Sequence, residues 1–550
     1  MLFDFSLHKL TFLLGLLGGL VVVPTTAVVI ARDSHNLVSG FHRYFIQENA
    51  DFVYVKYLLT SKLPIESKAL LASAAGRSTA QGTITGTITP PPGAPYQTAA
   101  SVPVLLYHGE GDTSSSTMPM HVFVDQMRTL KQDGWHTITL HQFTAFMKGE
   151  TTLPDKSFLL TFDDARRDTF YAADPVMRDL GFTGVMFVIT GFSMPENGST
   201  PVSDFYLSKS ELAYLARSGR WELESHGNED HRAYPVPTAT STPAHLTLLP
   251  NEHFLSNLFW SPEENRIETP AEFSERVKRD LISSRDTLEA DFGKPVTAFA
   301  FPFNDFGQGT GNYPQAMTAV AHVVPSIYNL AFYQTWPGNG DSFNTPDPNA
   351  SLIKRIEPHA DWTGRHLLTV LQNGRTKTLP YASDSFTTDW EANWGLASST
   401  ASSSLAVEAT TDSTGAAAFL NGSGQWQNYR IDAKAEWQAG TISLVARHTE
   451  GSKPYLVCAF SQNRIYLERH EQGAPIVTLA FTPYTPPKLP TQATVSMTVN
   501  GPHTTCSAYG ASVSADAPGI SAHGGIGISV WDTPLDTARI LLTRLSVSAL

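Results

Sequence analysis

Asp163 and Asp164 stand side by side after the uncharged run Ser157-Phe158-Leu159-Leu160-Thr161-Phe162. Adjacent carboxylates repel unless a cation or a proton is shared between them. A metal ion resolves the conflict, because one acid can ligate it while the other acts as a base. A second reading of Asp-Asp at a strand end is a simple helix cap. Further along, Ser225-His226-Gly227-Asn228-Glu229-Asp230-His231 sets two imidazoles with four residues between them. Two neutral imidazoles and a carboxylate form a common zinc set that leaves one position open to water. By itself His-x4-His reads as a polar surface loop. The upstream acid pair turns the balance toward a shared ion. His108 follows a short apolar stretch, where a lone histidine suits either proton transfer or a buried hydrogen bond, and His359 ends Arg355-Ile356-Glu357-Pro358-His359.

Something must carry these groups to one place. Val102 to Tyr107 reads as a strand buried on both faces and Ser157 to Phe162 as a second buried strand, and Gly184 to Thr190, Trp221 to Ser225 and Val296 to Phe301 read as further strands. Helical spacing lies between them, at His121 to Asp133, Pro175 to Leu180 and Ser210 to Arg217. Thr269-Pro270-Ala271-Glu272 predicts a helix start, with Thr as N-cap, Pro at N1 and Glu closing a capping box. Its apolar stripe is Phe273, Val277, Leu281 and Leu288. Alternating strands and helices imply α/β architecture around a mostly parallel sheet or barrel, over about 102–374. In such folds, sites are built at the C-terminal ends of strands. Arg232 to Ile267 is Pro/Thr-rich and aperiodic, as expected of a functional loop that walls a groove with Phe254 and Trp260. From 382 to 550, short alternating runs separated by turn residues predict an all-β sandwich.

The 550-residue chain is long enough for two or three domains. Its net charge of −13 argues against a nucleic-acid partner. Leu10 to Ala31 carries no charge and is flanked by Lys9 and Arg32. That length matches the ~20 residues that span a bilayer. Residues 1–32 are therefore expected to form a signal anchor, with a cleaved signal as the alternative, and 33–101 a stalk and a Pro/Ser/Thr-rich linker. The partner implied at this end is the membrane. Cys458 and Cys506 are the two cysteines. A disulfide and two separate buried thiols are both open readings.

Thr161-Phe162-Asp163-Asp164, Ser225-His226 with His231, and Phe299-Ala300-Phe301-Pro302-Phe303, in this order, resemble the motifs of the polysaccharide deacetylase family (NodB-homology domain, carbohydrate esterase family four). Pro103-Val104-Leu105-Leu106-Tyr107-His108 is similar to the subgroup that deacetylates biofilm poly-β-1,6-N-acetylglucosamine. The resemblance implies a distorted (β/α) barrel and one divalent metal, with Zn2+ the expected ion. It makes Asp163 the general base and Asp164, His226 and His231 the ligands, with the ion polarising an acetyl carbonyl. Pro302, Phe303 and Asn304 would contact substrate, with backbone N–H groups near Phe303 at the oxyanion. Most of the family takes its acid from a late Leu-x-His histidine, whereas the biofilm subgroup places it early. The early position makes His108 the acid, with His359 its rival. One departure is Phe303-Asn304-Asp305, where the family usually has Tyr-Gly. The C-terminal sandwich is similar to concanavalin-like jelly rolls. Trp390, Trp394, Trp426, Trp437 and Trp531 are its sugar-platform candidates, and core positions are the favoured reading for most of them. The expected activity is extracytoplasmic N-deacetylation of a β-linked N-acetylhexosamine polysaccharide. An O-acetyl esterase or a non-catalytic glycan-binding protein are the alternatives.

Overall fold

The structure, a computed structural model, describes residues 98–550 except 111–116, 196–200, 336–341, 384–385, 387–388, 401–402, 450–453, 472–473 and 486–487. The expected anchor and most of the expected linker lie outside the described residues. Among the described residues no helix is long and apolar enough to cross a membrane.

The first unit contains β1 (Val104–Tyr107), β2 (His136–Thr137), β3 (Ser157–Phe162), β4 (Gly184–Val188), β5 (Trp221–Ser225), β6 (Ala233–Pro237), β7 (Leu248–His253), β8 (Trp260–Ser261), β9 (Arg266–Ile267), β10 (Ala298–Ala300), β11 (Leu330–Thr335) and β12 (Leu352–Ile356). Seven of these run parallel in the order β1-β12-β11-β10-β5-β4-β3, and β3 pairs back to β1. The sheet is therefore a closed barrel, with β2 appended to β3. The principal helices are α1 (Met120–Gln132), α2 (Leu140–Met147), α3 (Arg167–Leu180), α4 (Lys209–Ser218), α5 (Pro270–Phe292), α6 (Ala316–Val323) and α7 (Gly364–Gly374).

Side chains alternate across each strand, so one parity fills the barrel and the other meets the helices. Val104, Leu159, Val185, Phe187, Ala298, Ala300, Phe332 and Ile353 form the inner cluster, and α2 closes one end with Leu140, Phe143, Phe146 and Met147. The opposite parity, including Leu105, Leu160, Met186, Phe299 and Ala331, packs in a second cluster with helix residues such as Phe123, Leu212, Val277 and Leu367. Both faces being apolar explains why the strands read as continuous hydrophobic runs.

The capping box at Thr269 forms as the sequence predicts, with Thr269 and Glu272 capping each other and Pro270 at the first turn. The helix expected at Pro175 instead begins at Arg167 and continues through that proline. The lost backbone bond is offset by burial of Phe170, Ala173, Val176 and Met177. The segment from Arg232 to Ile267 is two small hairpins, β6–β7 and β8–β9. Phe254, expected to line a groove, is buried against Tyr234, Phe259 and Arg276.

The second unit is an antiparallel sandwich. One sheet is centred on Tyr429–Ala439 between Arg539–Ala549 and Thr491–Asn500. The other is centred on Thr441–His448 between Tyr455–Phe460 and Gly525–Trp531. Cys458 and Cys506 form a disulfide that joins the two sheets across the core, with Cα atoms 5.5 Å apart. Trp390, Trp426 and Trp437 are core residues, whereas Trp394 and Trp531 are exposed. The sandwich meets the chain leaving α7: Trp426 Nε1 donates to Lys377 O at 2.7 Å, and Lys377 N to Gly422 O at 2.8 Å. A Cβ on Gly422 would lie 2.0 Å from Arg375 O, so this approach needs glycine.

Candidate metal centre and catalytic rim

Strand register decides which residues meet at the barrel mouth. Tyr107 pairs with Phe162, so His108 and Asp163 leave adjacent strand ends together. Asp163 N donates to Tyr107 O at 3.1 Å. Phe299 pairs with Ser225, which puts Ala300 beside His226. Leu105 pairs with Ile356, which brings Glu357 to the same rim as His108. All of these side chains continue the inward parity of their strands.

The chain turns sharply after Asp163. Asp164 and Ala165 have φ of 71° and 51°. Left-handed backbone is uncommon for alanine, so strain is held at this turn. The turn aims Asp164 at the two histidines. His231 Nε2 is 3.2 Å and His226 Nε2 3.4 Å from Asp164 Oδ1. Donor atoms of the three residues all lie within 4.8 Å of one another. Ligands bound tetrahedrally at ~2.1 Å stand about 3.4 Å apart, so the set fits a small divalent cation. His226 Nδ1 lies 2.8 Å from Ala300 O. Donation there fixes the tautomer that leaves Nε2 free for an ion. Burial works to raise the Asp164 carboxyl, but contacts from His226 and His231 hold it well below the usual range.

The His226–His231 loop is curled from beneath. Gly227 has φ of 76°, and a Cβ there would sit 1.7 Å from Asp230 Oδ1. Asp280 on α5 accepts from Asn228 N at 3.0 Å and Glu229 N at 2.8 Å. Burial pushes the Asp280 carboxyl up to about 6, against those two amides.

Asp163 is turned away from this trio into a bidentate pair with Arg355, at 2.7 and 2.8 Å. Its Oδ2 is 3.9 Å from His226 Nε2. Both partners are buried. The planar guanidinium fixes the carboxylate in position and balances its charge. The acid pair is thus divided, with Asp164 in the donor trio and Asp163 free of it.

His108 Nδ1 lies 3.4 Å from Glu357 Oε1, with about a third of each side chain exposed. Gln334 Nε2 donates to the other oxygen of Glu357 at 2.5 Å. Burial lowers the His108 pKa, but Glu357, Asp164, Asp163 and Glu110 outweigh it and raise the imidazole above its ordinary value. Glu110 is itself fully buried, and burial pushes its carboxyl up to about 7. His359 is exposed and stacks on Trp362 at 4.9 Å. No contact of its side chain with the donor trio exists among the described residues.

Phe303 takes φ of 56° and remains 48 % exposed. Its ring lies between His231, at 4.4 Å, and His253 from the end of β7, at 4.8 Å. Asp305 is buried below, with Oδ2 3.5 Å from His253 Nδ1. Asn304 is occupied by the barrel edge: its Oδ1 accepts from Gln334 N at 2.7 Å and its Nδ2 donates to Gln334 O at 3.2 Å. Asn304 N and Asp305 N donate to Phe301 O and Pro302 O. Pro302 has no N–H. The Phe303 N–H is the remaining amide of the turn.

Arg355, Glu357, Asp280, Glu110 and His253 have no role in the sequence reading. Arg355 and Glu357 carried a signal nonetheless. They continue the inward parity of Ile353 on an apolar strand, which is where a charged residue needs a partner. Nothing local marks Asp280 apart from its place in the buried stripe of α5.

Residues 150–320, which lie within the barrel, match the family model described as polysaccharide deacetylase. Among curated relatives, YxkH of Bacillus subtilis (strain 168), which bears a polysaccharide deacetylase name, is 26% identical over 127 residues, 23% of this chain and 42% of that one. The poly-beta-1,6-N-acetyl-D-glucosamine N-deacetylase of Escherichia coli (strain K12) is 22% identical over 188 residues, 33% of this chain and 27% of that one. The chain therefore spans less than half the length of these relatives. Among solved structures, a de-N-acetylase from Aggregatibacter actinomycetemcomitans aligns with a TM-score of 0.39 and 18% identity, over 49% of this chain and 98% of its own. The carbohydrate binding module CBM66 from Bacillus subtilis aligns with a TM-score of 0.25 and 13% identity, over 30% of this chain and 99% of its own.

Proposed function

We propose that this chain is a metal-dependent hydrolase that removes N-acetyl groups from a β-linked N-acetylhexosamine polysaccharide, an exopolysaccharide or a cell-wall glycan. The observation that carries the reading is the divided acid pair: Asp164 closes a three-donor set while Asp163 stands beside it, locked to Arg355. Asp164, His226 and His231 would hold the ion, with Zn2+ the expected one. When bound, a divalent ion there supplies a Lewis acid for the acetyl carbonyl and a lowered pKa for water. Asp163 accepts the proton of the attacking water, and its fixed pairing prevents it from swinging onto the ion. His108 donates to the departing amine, and Glu357 orients it and keeps it protonated. The Phe303 N–H faces the developing oxyanion.

The polymer's linkage and sugar are supported by the likeness of Pro103 to His108 to the biofilm subgroup and by the names of the curated relatives. An extracytoplasmic, membrane-anchored location is supported by the uncharged segment from Leu10 to Ala31 and by a disulfide that persists in oxidising compartments. The test is acetate release from a panel of N-acetylated and O-acetylated glycans by metal-loaded protein. Release from N-acetylglucosamine oligomers is expected. Release confined to ester substrates would make the protein an O-acetyl esterase, and no release from any member would leave a glycan-binding protein.

A further inference from the structure

The second unit contains a cavity of about 340 Å³ at one end of the sandwich, between the loops that hold Gln427, Asn428, Gly501, Pro518 and Ile520. Arg447 lines it, at the end of the strand Thr441–His448. This arginine is only 3% exposed and sits on left-handed backbone, with φ of 57°. Its guanidinium donates to backbone carbonyls, Nη1 to Ser521 O, and Nη2 to Gln427 O at 2.7 Å and Gly501 O at 3.4 Å, and its side-chain partner is the neutral hydroxyl of Tyr429. The Nε–H has no acceptor. No carboxylate pairs with Arg447 among the described residues, and Tyr429 is the one ionisable group beside it.

That arrangement is unlike the other buried arginines among the described residues, since Arg355 meets Asp163 with both Nη atoms and Arg166 pairs with Asp168. A guanidinium remains charged at any physiological pH. Burying it without a counter-charge is costly, and carbonyl dipoles compensate only in part. Burial accordingly pulls its pKa down. An anion entering the cavity supplies the missing charge, and a planar carboxylate suits the fork of an arginine. The cavity also has Asn428 and Gln427 as polar groups and Leu456, Pro518 and Ile520 as apolar walls. Convergent polar groups on an apolar lining are the usual make-up of a small-ligand site, and this volume is within the usual range. The walls suit the C–H face of a pyranose ring and the amides its hydroxyls.

We infer that this cavity is a binding site for a carboxylate-bearing sugar, a hexuronate unit of an acidic polysaccharide, with Arg447 as the carboxylate anchor. The site is separate from the metal centre and binds a different chemical class from the neutral acetylated polymer. It gives the chain a second foothold on an acidic glycan matrix, so linked sites raise the effective concentration of the barrel at its substrate.

The test is calorimetric titration of the full chain with tri-galacturonate at low salt, with a neutral galactose trisaccharide and sodium acetate as controls. Saturable binding of tri-galacturonate at one equivalent is expected, at least 10-fold tighter than either control. Arg447→Gln should abolish it. Because Arg447 also ties three loops together, Ala522→Trp is the second variant. Ala522 is an exposed residue of the cavity rim, so tryptophan there fills the opening and leaves the arginine in place. Loss of binding in Ala522→Trp with an unchanged melting temperature supports the site. Binding that survives Ala522→Trp, acetate binding as tightly as the trisaccharide, or no binding to the parent chain overturns it. Asp163→Asn should leave this titration untouched, so failure of the deacetylase reading and failure of this one are told apart.

Discussion

Glu357→Gln isolates the charge that keeps His108 protonated. The substitution preserves shape and retains an oxygen for Gln334. What it removes is the negative charge 3.4 Å from His108 Nδ1. Both side chains are about one-third exposed, so solvent screens the pair and the water dielectric is the appropriate limit. Coulomb's law then gives about 1.2 kcal/mol. At about 1.4 kcal/mol per pH unit, His108 loses its proton nearly one unit lower in the variant. Charges that raise an imidazole pKa keep it protonated to higher pH. The general acid is therefore active below that pKa and lost above it. The assay is kcat/KM for acetate release from an N-acetylglucosamine oligomer across pH 5 to 10. The alkaline limb should lie above the free-imidazole value in the parent and shift down by about one unit in Glu357→Gln. The difference should shrink in 1 M salt, where the screening length is about 3 Å. An unchanged limb, with His359→Ala instead removing it, would refute His108 as the acid and Glu357 as its partner.

Three further outcomes follow from buried charges. Arg355→Met strands the Asp163 carboxylate in the barrel and should cost about 3–5 kcal/mol in denaturant unfolding, together with most of the activity. Asp280→Asn weakens the clamp on the His226–His231 loop and should lower metal affinity about 10- to 100-fold by competition with a chelator, while the fold survives. Glu110→Gln should stabilise the protein only at higher pH. The folded carboxyl is raised to about 7 from 4.5. Below pH 4.5 both states are protonated, and between the two values the unfolded chain alone ionises, so stability falls as pH rises. Above pH 7 that loss is complete at about 3 kcal/mol. The variant's melting curve should match the parent at pH 4.5 and exceed it at pH 8.

Much of this arrangement was legible in the chain because its signals are local. Strands buried on both faces must be nearly continuous apolar runs, so β1, β3 and β4 stand out in the chain, as does the capping box at Thr269. Asp164, His226 and His231 lie within short segments at strand ends, where parallel folds build sites. β11 and β12 were not read. Leu352-Ile353-Lys354-Arg355-Ile356 sets two adjacent charges inside a short apolar run, which is not the pattern of a strand buried on both faces. Its arginine is buried because a carboxylate from β3 awaits it, and that partner is set by closure of the barrel. Glu357, Asp280 and His253 act through contacts of the same long-range kind. The composition of the Arg232–Ile267 stretch predicts a wall bearing Phe254 and Trp260. It instead buries Phe254 under Arg276 and presents His253 against Phe303. Periodicity cannot tell which side of a short hairpin faces a site.

The most direct measurement pairs metal content with acetate release on the same samples of parent, Asp163→Asn and His231→Ala. One equivalent of divalent metal and active release are expected for the parent. Asp163→Asn should keep the metal and lose release, and His231→Ala should lose both. Metal lost with Asp163→Asn, or acetate released at the parental rate by either variant, would contradict the division of labour between Asp163 and Asp164.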